Sequence, residues 1–307
     1  MPLVAGKEIL SKADKGGYAV GAFNINNMEI LQGIVKAAKE KSSPVIFAVS
    51  EGAIKYAGLK YIITMVKTAI EDSGITATLH LDHGQDLEMI KSCIDNGFTS
   101  VMIDASHLPF EGNLKETKKV VEIAHTKGVS VEAELGRLKG VEDIISVSER
   151  DAILIDPDEA RQFVTESGID SLAPAIGTSH GAFKFKGEPK LDFDRLKRVK
   201  EYCQIPLVLH GASSVPEWIL EKVIKYGGKV AGAKGIPEEA IKKAITLGIN
   251  KVNIDTDLRL ALLGAIREVL IETPQEIDPR KILGPGRDLI YKVVKEKIDM
   301  LGSEGKA

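Results

Sequence analysis

Three of the six histidines in this 307-residue chain are followed directly by glycine, and each pair closes a short apolar run: LHLDHG ending at Gly84, APAIGTSHG ending at Gly181 and PLVLHG ending at Gly211. Imidazole is a neutral nitrogen ligand, and three imidazoles with one coordination position left open are a standard set for catalytic zinc. The glycine beside each lets a ligand approach the backbone. Any one of these histidines alone reads more simply as a buried, hydrogen-bonded core residue. The same arrangement three times points instead to a shared metal site made of His83, His180 and His210. His80, inside a strand-like run, and His107 and His125, in a loop and near a helix end, read as structural or exposed.

Three distant segments can share a metal only if the fold brings their ends together. Short runs rich in Val, Ile and Ala recur at 19–25, 44–50, 77–83, 100–106, 129–136, 171–177, 206–211 and 251–256, and predict eight strands. Amphipathic segments lie between them, among others at 28–41, 59–74, 87–97, 114–128 and 157–168, several closed by glycine. Near-continuous apolar strands alternating with helices mean a parallel sheet covered by helices. Eight such units predict an α/β fold of the (β/α)8 TIM barrel type, a single domain over residues 1–307 with a C-terminal helical extension. An open, doubly wound sheet is the alternative.

Barrels of this type build their active sites at the C-terminal ends of the strands. Reading those ends gives Asn24, Ser50, Asp82 with His83, Asp104 with Ser106, Glu134, His180, His210, and Asn253 with Asp255. Polar loops explain some of these, but not three histidines and four carboxylates together. Asp82, adjacent to His83, can support the ligand shell or transfer a proton. Asp104 and Glu134 end neighbouring strands and could form a second or alternative metal position. From Arg137 to Asp156 the chain shows no clear periodicity and reads as a mobile loop after strand five, with Glu142 and Asp143 as leading carboxylates. Such a loop could carry Glu142 over a substrate as a general base. TSHGAFKFKG (178–187), HGASS (210–214) and NIDTD (253–257) add glycines, hydroxyls and Lys184 along the rim, a composition suited to phosphate.

The bulk numbers narrow the field. A formal net charge of −3 with 28% charged residues gives no basic excess for nucleic acid. Cys93 and Cys203 are far apart and form no CxxC, which fits a reducing compartment and a cytoplasmic protein. The N-terminus carries charges where a signal peptide needs an apolar core, and no stretch approaches the ~18 apolar residues of a membrane span.

These residues, in this order, resemble the class II, zinc-dependent fructose-bisphosphate aldolases. The resemblance covers nearly the whole chain, through GAFNINNMEILQGIVKAA, LHLDHGQD, SVMIDASHLPFEGN, VEAELGRLKGVED, SLAPAIGTSHGAFKFKGEPKLDF, PLVLHGASS and INKVNIDTDLR. It implies that His83, His180 and His210 bind the catalytic Zn2+, with Asp104 and Glu134 at a second divalent metal position. Asp82 would handle the proton on the C4 oxygen, and Glu142 the proton on the dihydroxyacetone phosphate carbon. Gly181, Gly211, Ser213, Asp255 and Thr256 would surround one phosphate, with Asn253 on the enediolate and Lys184 as a further anion or cation-loop residue. Asn24 and Ser50 match positions near the aldehyde half. Arg280 matches an arginine that reaches the other phosphate from a neighbouring subunit, although the chain around GPGRD (284–288) departs from the pattern. A monovalent cation (Na+ or K+) near the phosphate loops, phosphorylated ketose and triose substrates, and a homodimer or homotetramer are also implied.

The family contains tagatose-bisphosphate aldolases as well; the SHGAFKFKGEP segment and the short chain look more like the fructose-bisphosphate branch. Two other readings remain. A zinc barrel hydrolase commonly opens with an HxH pair on its first strand, and AVGAFNI has no histidine. A barrel retained only for binding would not need the proton-transfer carboxylates. A Schiff-base aldolase needs a lysine near the C-terminal end of a barrel strand. The first seven predicted strands hold none, and Lys251 begins the predicted eighth.

Overall fold

The eight apolar runs become eight parallel strands that close on themselves. The computed structural model describes residues 3–136, 139–142, 145–147, 154–180, 191–230 and 235–307, and for 139–142, 145–147 and 179–180 the backbone alone. In chain order the strands are β1 (Val20–Asn24), β2 (Val45–Ser50), β3 (Ala77–Gly84), β4 (Ser100–Ile103), β5 (Ser130–Leu135), β6 (Lys139–Glu142), β7 (Ile145–Val147), β8 (Ser171–Pro174), β9 (Ser179–His180), β10 (Leu207–Leu209) and β11 (Ile249–Ile254). The barrel runs β1-β11-β10-β8-β5-β4-β3-β2, so strands successive in the barrel are neighbours, as short right-handed crossovers require. The open-sheet alternative is thereby excluded.

Three sequence expectations need correction. Residues 137–156 are not wholly irregular: β6 and β7 pair antiparallel, with Glu142 opposite Ile145, and β6 pairs in parallel with β9, placing Gly140 opposite His180. Short strands interrupted by charge show too few repeats for a period-two pattern to register. The sixth barrel strand stops at Pro174 rather than 177, so His180 belongs to the small three-stranded sheet and not to the barrel wall. The last barrel strand starts at Ile249, which puts Lys251 in mid-strand and not at its beginning.

Alternation along the strands sorts side chains into two cores. Phe23, Phe47, Val49, Leu79, Leu81, Val131, Ala133 and Val252 face the surrounding helices. Val20, Ala22, Ile46 and Ala48 face inward and meet Ile9, Leu10 and Ala13 of the N-terminal helix Gly6–Gly16, with Tyr18. That helix closes the bottom of the barrel, tied by Val4 N–H to the Ala77 carbonyl, the Thr78 hydroxyl to the Val4 carbonyl, and Lys7 N–H to Ser130 Oγ. Above this apolar floor the inward positions turn polar: His80, Glu132 and Lys251 first, then Asn24, Asp82, Glu134 and Asn253, all buried. Because side chains repeat with period two, one residue of register slip would turn this polar column outward.

The C-terminal extension is helical, as expected, with Thr256–Glu272 followed by Pro279–Leu301. The latter packs against Met28–Lys41 across Gly33, where an added Cβ would lie 2.9 Å from the Arg287 carbonyl oxygen. Asp278 caps this last helix, with Pro279 in its first turn. Among the described residues no helix is long and apolar enough to cross a membrane. Leu10→Ala is expected to cost ~2–5 kcal/mol in urea unfolding, the range for a truncated, fully packed leucine. A loss below about 1 kcal/mol would show that the N-terminal helix is not part of the barrel core.

Candidate active site

His83 is held in an unusual conformation. Its φ of +50° lies in the left-handed region, and the β3–β4 register shifts between Leu81 and Gly84, so the strand bulges and re-aims the imidazole. Gly84 follows because an added Cβ would stand 2.7 Å from the Met102 carbonyl oxygen. In the pair His210–Gly211 the reason is different: Gly211 itself is left-handed, at φ +59°. Beyond the bulge, Oε1 of buried Glu51 accepts the N–H groups of Gln85 (2.9 Å) and Asp86 (3.1 Å) and ties the turn down.

Each of the two described candidate ligand histidines has a carboxylate on one ring nitrogen. His83 Nδ1 lies 2.8 Å from Asp104 Oδ2, while Asp104 Oδ1 accepts the Ser106 hydroxyl (2.7 Å) and N–H (3.2 Å). Burial works to raise the Asp104 pKa, but the hydrogen bonds from His83 and Ser106 outweigh it and hold the carboxyl well below the usual range. His210 Nε2 lies 2.8 Å from Glu132 Oε1, and Glu132 Oε2 accepts from Lys251 Nζ at 2.7 Å. Here too burial opposes ionisation and is overcome, by the Lys251 charge and the His210 hydrogen bond. Ionised carboxylates accept and cannot donate, so the protons sit on His83 Nδ1 and His210 Nε2.

The other two ring nitrogens, His83 Nε2 and His210 Nδ1, then turn their lone pairs toward each other 2.9 Å apart, with Asn253 Nδ2 3.2 Å from His210 Nδ1 and the ring centroids 4.6 Å apart at 75°. Two acceptors at that distance repel unless a proton or a cation lies between them. Burial and the neighbouring His83 push the His210 pKa down, which disfavours the proton. The donor set therefore fits a metal ion, and Asp82, His83 and His210 offer ligand atoms within 4.8 Å of one another. His83, Asp104 and Glu134 form a second such group, at the position expected for another metal.

Asp82 is clamped from both sides. Asn253 Nδ2 donates to its Oδ1 and Asn24 Nδ2 to its Oδ2, each at 2.9 Å, an orientation the acceptor-only carboxylate imposes on both amides. The carbonyl oxygens of Asn24 and Asn253 are buried without hydrogen-bond partners among the described residues. Beneath this layer Lys251 also approaches His80 Nε2 at 3.2 Å, and His80 Nδ1 meets Ser100 Oγ at 2.8 Å. Burial, reinforced by the Lys251 charge, pushes His80 down to about 3, so it is neutral and structural, as the sequence suggested. His125 is half-exposed and pairs with Asp170.

The remaining rim residues divide. Ser213 is buried and its Oγ accepts Asp255 N–H at 3.4 Å; Thr256 opens the helix Thr256–Glu272, whose first N–H groups have no intrahelical acceptors. The Asp255 carboxylate is bound by Arg259 (2.8 Å) and so does not face an anion bare. Ser50 Oγ accepts Ala53 N–H and lines a cavity of about 500 Å³ with Asn26, Tyr56 and Arg259. Arg280 joins none of these contacts: its side chain is 89% exposed and bound to Asp278. His180 and Glu142 are placed by their backbones alone, and Gly181 and Lys184 lie outside the described residues.

Glu132, Lys251 and Glu51 are the residues that sequence reading missed. The pattern VEAEL did carry a signal, since glutamates at i and i+2 in an apolar strand share a face and both must point into the barrel.

The family described as "Fructose-bisphosphate aldolase class-II" matches residues 4–306. A fructose-bisphosphate aldolase of Helicobacter pylori is 54% identical over 305 residues, covering 99% of both chains. One from Thermus caldophilus is 53% identical, covering 99% of this chain and 100% of that protein. The crystal structure of the YdjI aldolase from Escherichia coli K12 superposes with a TM-score of 0.82 over 100% of both chains at 33% identity.

Asp104→Asn removes the charge that fixes the His83 tautomer. Zinc affinity, read by competition with a chromogenic chelator, is expected to fall about 10–100-fold, the usual effect of losing a carboxylate behind a ligand histidine. Parental affinity would show that the lone-pair geometry does not depend on Asp104.

Proposed function

The chain belongs to the class II fructose-bisphosphate aldolase family, and we propose that the barrel mouth performs that family's reaction with Asp82 and Glu142 as proton carriers and zinc on His83, His180 and His210. The protein is a lyase that reversibly cleaves fructose 1,6-bisphosphate to dihydroxyacetone phosphate and glyceraldehyde 3-phosphate. The observation that supports this placement is the pair of imidazole lone pairs converging in a buried, carboxylate-backed site beside Asp82.

When bound, zinc supplies Lewis acidity that stabilises the enediolate left by breaking the C3–C4 bond. Asp82 accepts the C4 hydroxyl proton as that bond breaks. Its clamping by Asn24 and Asn253 fixes both carboxylate oxygens and limits the reorganisation needed at transfer. Asn253 faces the enediolate, with its Nδ2, now donating to Asp82, as the group that can donate to the anion. Glu142 delivers a proton to the carbon of dihydroxyacetone phosphate, and both transfers reverse in synthesis. A second divalent metal would be held by Asp104 and Glu134.

The phosphate of dihydroxyacetone phosphate sits on Gly181, Gly211, Ser213, Asp255 and Thr256, at the start of the helix Thr256–Glu272, with Lys184 and a monovalent cation nearby. Asn24 and Ser50 border the aldehyde half. Arg280, exposed on its own subunit, reaches the other phosphate in a neighbouring copy, which makes the working form a homodimer or homotetramer. The chain acts as one domain in the cytoplasm on small phosphorylated sugars, with no nucleic-acid or membrane partner.

A coupled cleavage assay tests this reading. Fructose 1,6-bisphosphate is expected to be cleaved in preference to tagatose 1,6-bisphosphate, with activity lost on chelation and restored by zinc. Asp82→Ala and Glu142→Ala should each lower kcat about a hundredfold to ten-thousandfold. Turnover that survives complete metal removal would overturn the zinc site, and parental kcat in Asp82→Ala would overturn the assignment of the proton carrier.

A further inference from the structure

Lys297 is out of place in its helix. Along Pro279–Leu301 the buried positions are otherwise Gly286, Ile290, Val293, Val294, Ile298 and Leu301, yet Lys297 is 1% exposed among them. A buried ammonium is weak evidence for stability, because a well-packed apolar residue of similar volume usually does as well or better. Its partners show what the charge does. Lys297 Nζ donates to Ser214 Oγ and lies 3.2 Å from Oδ1 of Asp257, a carboxylate with no exposed surface. The same Asp257 oxygen accepts the N–H of Val215 at 2.8 Å.

Ser214 and Val215 are the end of the turn that begins at His210 and Gly211. Val215 adopts φ +44°, a left-handed conformation that a β-branched residue before a proline rarely takes. Such strain persists only where the surroundings over-determine it. The turn is held on its other side as well: Ile236 N–H donates to the Ser213 carbonyl, and a Cβ on Gly235 would lie 2.3–2.5 Å from the backbone of Ser213 and Ser214.

We infer that Lys297, acting through Ser214 and Asp257, is a positioning residue for phosphate binding, holding the turn 211–215 so that Gly211 and Ser213 present their groups to the phosphate of the three-carbon fragment. This rests on the placement of that phosphate proposed above. Lys297 touches no substrate; it sets the geometry of groups that do.

The test uses the zinc-loaded, full-length enzyme. Lys297→Met should raise KM for fructose 1,6-bisphosphate and the calorimetric Kd for dihydroxyacetone phosphate by about tenfold, the scale of one lost charge-assisted contact, with kcat within about twofold and zinc content unchanged. Ile298→Ala, which truncates the same buried helix face, should lower Tm and leave both constants at parental values. Ser214→Ala should reproduce the KM increase, and the double variant should show no further effect. Should Lys297→Met fail to fold, Ser214→Ala carries the test alone. Parental KM and Kd in Lys297→Met, or an equal rise in Ile298→Ala, would overturn the inference. Ser213→Ala separates the two levels: parental KM there removes the phosphate placement itself, whereas a raised KM there with no effect of Lys297→Met removes only the role of Lys297.

Discussion

Everything at the barrel mouth depends on two carboxylates that remain ionised out of water. Asp104 and Glu132 are 4% and 1% exposed, where burial alone would protonate them. Asp104 keeps its charge through His83 and Ser106, Glu132 through Lys251 and His210. If either took up a proton, the histidine behind it could turn its lone pair the other way, and the convergence at 2.9 Å would be lost. The buried pair of Lys251 and Glu132 is thus better understood as a tautomer-fixing device than as a stabilising salt bridge, since burying ions gains little net stability.

The fold makes this arrangement affordable by stacking its polarity. The N-terminal helix closes the lower barrel with Ile9, Leu10 and Ala13 against Val20, Ala22, Ile46 and Ala48. Water is thereby kept from the ionic layer above, and the low dielectric strengthens every contact among Lys251, Glu132, His80 and Ser100. The uppermost layer then reaches the mouth with its orientation already set from below. Strain is confined to points where an extra contact holds it: His83, followed by the Glu51 tether, and Val215, held by Asp257.

Which parts of this were legible in the sequence follows from the range of the interactions. Strand and helix positions depend on local periodicity, so the eight barrel strands and the helix at 28–41 could be read within a few residues. His83, His210, Asp82 and Asp104 could be read because each ends an apolar run. Glu132 and Lys251 could not be assigned, because their meaning lies in a contact between β5 and β11, 119 residues apart. The glycines after His83 and His210 have separate structural reasons that the sequence cannot distinguish: Gly84 makes room for a carbonyl of β4, while Gly211 supplies a left-handed turn. The strands β6 and β7 were missed because four and three residues show no periodicity that a loop does not.

The proposed site consequently has two halves of different mechanical origin. His83 and His210 project from the barrel and are braced by carboxylates of its wall. His180 and Glu142 sit on β9 and β6, whose shared ladder places Gly140 opposite His180, two residues before Glu142. Backbone pairing outside the barrel therefore joins the segment of His180 to that of Glu142. The carboxylates that fix the tautomers of His83 and His210, Asp104 and Glu132, belong to the barrel and not to the small sheet that carries Glu142. In the proposed reaction, this division would keep the histidines braced by the barrel while proton delivery to carbon falls to a residue outside it.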